Sequence, residues 1–185
     1  MTRRAIVSGL VGGVVLIVWT FVVNGIFRFG SSINMNRVPD ERRVYEMLKE
    51  TVVEPGHYVI NPEVVPAEGF PAGEPVFSLS YSGFGHEAAG GLFLLHLAIA
   101  FLATIIAASM LSAASPRILA SYVRKVLFFT GIGLLFALFH DLHAHGIGGY
   151  PLRDALLLAA NSVVSWTVVG AAVAGLLKPA PEEDR

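Results

Sequence analysis

Four apolar stretches, residues 5–27, 88–114, 126–139 and 155–177, contain no Asp, Glu, Lys or Arg. A hydrocarbon layer about 30 Å thick is crossed by a helix of roughly 20 residues, because a helix pairs all its own backbone polar groups. The third stretch reaches that length through a polar extension at His140 and Asp141. The expectation is an all-α membrane protein built on a four-transmembrane-helix bundle. Composition agrees, since charged residues make up 15% of 185, well below the roughly 25% of an ordinary soluble domain. With no Cys in the chain, disulfides, thiolate metal sites and Cys nucleophiles are excluded. A formal net charge of −1 gives no electrostatic reason for a nucleic-acid partner.

Arg3 and Arg4 precede the first stretch as they would in a signal peptide. The apolar run is longer than a signal core of about 7–15 residues and no A-x-A-like site follows, so it reads as a retained helix. Residues 1–27 are then the N-terminal tail and helix 1, 28–87 an extracytoplasmic insert, 88–177 helices 2–4, and 178–185 a cytoplasmic tail. Alternate threading puts Arg3, Arg4, Arg117, Arg124, Lys125, Lys178 and Arg185 on one side, against Arg28, Arg37 and Arg153 on the other. The positive-inside rule makes both termini cytoplasmic. Arg124 and Lys125 are expected to snorkel to the inner interface.

The insert has α+β character. Pro39 and Asp40 open a helix over about 40–52, in which Val44, Met47, Leu48 and Thr51 recur at helical spacing. Pro55-Gly56 ends it, and the β-branched and aromatic content of 57–61 and 76–81 predicts two strands around a loop rich in Pro, Gly and Glu. So short a unit buries too little apolar surface to stand alone, so it should lie over the outer mouth of the bundle.

Lipid removes the hydrophobic drive for helix association, so interfaces favour small and polar residues. The candidate stripes are Gly9, Gly13, Thr20 and Asn24; His96, Ala100, Ala103 and Ala107; Thr130, Gly133, Ala137 and His140; and Asn161, Ser165, Val168, Ala172 and Gly175. Threading brings Asn24, His96, His140 and Asn161 into the outer half, with His96 about 12 Å below the outer end of its span at 1.5 Å per residue. Strong hydrogen-bonding groups there need partners, and the four are expected to form one polar cluster.

His140, Asp141, His143 and His145 form the densest set of potential ligands. Imidazoles and a carboxylate suit a transition metal, whereas hydrogen bonding and solvation at a helix end account for the same residues without one. His96 reads either as a bundle histidine bonded to Asn161 or another helix, or as an axial haem ligand paired with His140 or His143. Trp19 and Trp166 read as packing aromatics. Glu54, Glu63, Glu68 and Glu74 show no acid/base spacing, the glycines of 83–91 lack a phosphate-loop ending, and no Ser and His share a nucleophile setting.

Gly12-Gly13-Val14-Val15-Leu16-Ile17-Val18-Trp19, Pro55-Gly56-His57-Tyr58-Val59-Ile60 and the set Asn161, Trp166 and Gly170 together resemble a group of uncharacterised bacterial four-span integral membrane proteins. The resemblance implies a bacterial inner (plasma) membrane setting and the same four helices, and it brings no activity or binding residue to these positions. The run from His140 to His145 departs from the aromatic-rich stretch of that group. Function is therefore expected to be non-enzymatic, an accessory or assembly component in the lipid bilayer whose insert meets a membrane-protein partner or a second copy. The alternatives are an outer-facing metal or haem site and a small transporter, the latter opposed by an inner half without ionisable groups to pass an ion onward.

Overall fold

The structure, a computed structural model, describes residues 3–61 and 73–177. Most of the strand-connecting loop and the tail 178–185 lie outside them. Four helical spans are long and apolar enough to cross a membrane: Arg3–Ile26, His86–Ser112, Tyr122–Asp141 and Leu152–Ala174. The first is α1 (Arg3–Phe21), continued by a π-turn at Val22–Ile26. After the short α2 (Phe29–Asn34) come α3 (Glu41–Thr51), β1 (Gly56–Ile60) and β2 (Phe77–Tyr81). A 3-10 turn at His86–Ala88 leads into α4 (Ala89–Ser112). Pro116 starts the one-turn α5 (Pro116–Leu119), and the Ser121 side chain accepts the Arg124 N–H to cap α6 (Tyr122–Phe136). A second π-turn, Ala137–Asp141, prolongs α6, and α7 (Leu152–Ala174) follows Pro151.

The helices α1 and α7 pack together at the centre, with α4 against α1 and α6 against α7. The start of α1 meets the end of α7, while the insert meets the α6–α7 loop, so the bundle has a terminal end and an insert end. The core lies at the terminal end, where Ala107, Ala108 and Leu111 of α4 meet Phe129 of α6 and Val169, Val173 and Leu177 from α7 and its end. Glycines allow this close approach. A Cβ on Gly9 would overlap Ile105 Cα, one on Gly12 would stand 3.0 Å from Val173 Cγ2, and one on Gly133 would stand 3.0 Å from both Ser162 O and Val163 Cα. Polar contacts join the same helices: Thr104 Oγ1 donates to Gly9 O at 2.8 Å, Trp19 Nε1 to Ser165 Oγ at 3.0 Å, and Thr130 and Thr167 hydroxyls lie 2.9 Å apart.

The expected stripes hold in part: Gly9, Gly13, Ala107, Gly133 and Ala137 are buried, but Thr20, Asn24, His96 and His140 toward the insert end and Gly175 at the terminal end are exposed. On α6 the buried line is Phe129, Gly133, Ala137 and Asp141, a strict four-residue spacing that begins with an aromatic. On α7 one stripe is too few, because this central helix meets α1 through Ser165 and α6 through Ser162. Lys125 is buried, and its Nζ donates to Leu177 O at 2.6 Å, just past the end of α7.

Between the first two spans lie α3, β1 and β2. Strands β1 and β2 pair antiparallel with Gly56 opposite Tyr81, Tyr58 opposite Leu79 and Ile60 opposite Phe77. This face holds the half-buried Tyr58 and Leu79, and Leu79 shares a groove with α3. The opposite face carries His57, Val59, Ser78 and Ser80 and meets the α6–α7 loop, where the Ser78 hydroxyl donates to Gly148 O. Gly148 has φ +70°, a left-handed conformation that side chains rarely adopt, and a Cβ there would also stand 3.2 Å from Val76. Tyr150 Oη donates to Asn34 Oδ1 at 3.0 Å, tying the loop to α2.

Candidate functional site at the insert end

Among the described residues, Asp141 is the buried ionisable group of this end. Each four-residue step along an α-helix advances about 40° around the axis, so a line of such steps drifts off the interface. The π-turn at Ala137–Asp141 winds more slowly and carries Asp141 back toward α7. There Ser162 Oγ donates to Asp141 Oδ2 at 2.5 Å, and His140 Nδ1 lies 3.0 Å from Oδ1. The side chain of Asp141 is 6% exposed and that of His140 68%. Since a carboxylate accepts, His140 Nδ1 carries the hydrogen and Nε2 is left outward as acceptor or ligand. Its ring stacks on Phe136 with centroids 4.7 Å apart.

This order is wrong for a nucleophile. Activation of a Ser needs a His between it and the carboxylate, whereas Asp141 stands between Ser162 and His140. The Ser162 proton is held by an acceptor that fixes it. What the arrangement does is satisfy a buried carboxylate, join α6 to α7, and hold one imidazole in a defined tautomer at the surface.

The remaining candidates are dispersed. His143 is exposed and stacks on Phe139 at 6.2 Å, and His145 lies beyond the helix with Nδ1 2.9 Å from Tyr150 O. Among the described residues, no three His, Asp or Glu side chains converge as metal ligands. Asn161 is half-buried on α7, and neither it nor His96 has a side-chain hydrogen bond among the described residues. Asn24 is satisfied locally, by Thr20 O at 3.1 Å and the Gly30 N–H at 3.0 Å. His96 and Asn24 instead line a groove between α1 and α4 that does not include His140. Among the described residues no hydrogen bond joins any two of the four residues expected in one cluster.

Sequence reasoning missed Ser162 and the role of Asp141 as an interhelical acceptor. The available signal was the spacing of Phe129, Gly133, Ala137 and Asp141, together with the cost of a carboxylate at the end of an apolar run. Comparison with protein-family models, with curated proteins and with solved structures yields no match.

Proposed function

We propose that this chain is a multi-pass inner-membrane protein with cytoplasmic termini and an outward insert, acting without catalysis as an accessory or assembly component that meets a membrane-protein partner through the insert. The observation that carries the reading is the uncovered apolar face of the insert. α3 is amphipathic yet buries none of its residues. Tyr45, Leu48, Val52 and Val53 line, with Leu79 and Tyr81, an open groove of about 380 Å³. Val53 is 75% exposed and Tyr45 60%. An isolated hairpin and one helix gain little from folding alone, and apolar surface left open on an otherwise docked unit is what an interface requires. Arg3, Arg4, Arg117 and Arg124 at the terminal end support the cytoplasmic assignment of that end.

Purification in a mild detergent tests the partner. A protein that accompanies the wild-type chain stoichiometrically should be lost from Tyr45→Glu/Val53→Asp, while helix content and bundle stability stay unchanged. Recovery of the wild-type chain alone, or equal retention by the variant, would overturn the proposal.

A further inference from the structure

The contact between α1 and α4 is tight at one end and open at the other. Cβ atoms on Gly9 and Gly13 would overlap Ile105 Cα and the Phe101 ring. One turn further on, Ile17 replaces glycine and the helices part. The gap is a groove of about 580 Å³ whose apolar wall includes Ile17, Phe21, Phe93 and Leu97. Its volume lies in the range of small-molecule sites. Into this wall α4 places the His96 imidazole, which has no hydrogen bond among the described residues. It lies seven residues from the start of α4, about 10 Å along the helix.

These features define the occupant. A groove open to the hydrocarbon layer receives an apolar body. A polar side chain at that depth needs a hydrogen-bonding partner, and since the chain supplies none among its described residues the ligand must. Phospholipid head groups and their ester carbonyls stay near the interface, and a charged head would have to be desolvated to reach His96. The head is therefore neutral and carries an acceptor for the imidazole N–H. Phe21 and Phe93 beside His96 favour a flat ring.

We propose that the α1–α4 groove binds a neutral isoprenoid quinone, with a ring carbonyl accepting a hydrogen bond from His96 and the tail lying along the apolar wall. This site is separate from the insert and does not depend on a protein partner there. Asn24, which also lines the groove, is already satisfied by Thr20 O and the Gly30 N–H.

The test is equilibrium binding of decylubiquinone to the full chain in lipid nanodiscs, with empty discs subtracted. Wild type should show one saturable site. His96→Leu keeps the bulk and removes an unpaired polar group, so it folds at least as well, and it should weaken binding about tenfold, the scale of one hydrogen bond to a neutral group. Ala100→Phe should fill the groove and abolish binding, while Phe139→Leu on α6 should leave it unchanged. No saturable signal over empty discs would overturn the proposal, as would equal affinity in His96→Leu, which would mean partitioning only. Because the chain has no Cys, His96→Cys reports the remaining outcome without background. Efficient disulfide cross-linking between two copies at that position would put a second copy in the groove and overturn the lipid assignment.

Discussion

Replacing Gly9 by Ala should loosen the bundle in a way that no side-chain change can repair. The added Cβ would overlap Ile105 Cα and stand 2.9 Å from the Ile105 N and Cγ1. Carbon atoms rest about 3.5–4.0 Å apart, so α1 and α4 must separate by about 1 Å at this crossing. Overpacking of this kind costs about 1–3 kcal/mol, and the better helix propensity of Ala returns up to about 1 kcal/mol. A net loss of about 1–2 kcal/mol is a factor of about 5–30 in the folding equilibrium. At Gly13 the new Cβ meets ring atoms of Phe101, which a smaller side chain would withdraw. Phe101→Leu should therefore rescue Gly13→Ala and be additive with Gly9→Ala. Gly131, with nothing within 4 Å, is the control, and Gly131→Ala should lose no stability. Reversible unfolding in mixed micelles, arranged as double-mutant cycles, measures all three. A Gly9→Ala protein as stable as wild type, or one restored by Phe101→Leu, would refute the claim that backbone contact sets this crossing.

Three other perturbations probe separate contacts. Asp141→Ala should cost about 1–3 kcal/mol and move the His140 hydrogen from Nδ1 toward Nε2, visible in ring nitrogen chemical shifts; an unchanged tautomer would contradict the pairing. Lys125→Met should lose about 1.5–3 kcal/mol, the worth of a hydrogen bond from a charged donor, with amide exchange rising first at residues 173–177. The Trp19→Phe/Ser165→Ala cycle should give a coupling near 0.6 kcal/mol, the average for polar pairs between membrane helices, and additivity within error would show that the indole N–H is not engaged there.

The bundle was legible in the sequence because apolar length is a one-dimensional signal, and so was the insert, because Pro39-Asp40, Pro55-Gly56 and two runs of β-branched and aromatic residues each act locally. The interfaces were legible where small or polar side chains make them, at Gly9, Gly13, Ala107, Thr130, Gly133, Ala137 and Ser165. Phe129, fully buried and stacked 6.2 Å from Trp166, belongs to none of the expected stripes, because a rule that looks for small and polar side chains has no place for a large ring opposite Gly170. Polar groups were read as seeking one another, which is sound for Asp141 and fails for His96. Nothing along the chain records the groove between α1 and α4 on the insert side of Phe101.

The two π-turns explain why the insert end differs from the core. Both lie there, at Val22–Ile26 on α1 and Ala137–Asp141 on α6, and each slows the rotation of a span just before it leaves the bundle. On α6 the effect is to hold Asp141 on α7 while His140, its immediate neighbour, turns outward. On α1 the segment carries Asn24, whose amide bonds backward to Thr20 O and forward to the Gly30 N–H instead of across to α4. A straight helix drifting about 40° per four residues would continue toward a different face at each of these positions. The insert end therefore uses its polar side chains to fasten the span ends, and on the α1–α4 side this leaves His96 as a donor without an acceptor among the described residues. That unmatched imidazole distinguishes the groove from an ordinary lipid-facing seam.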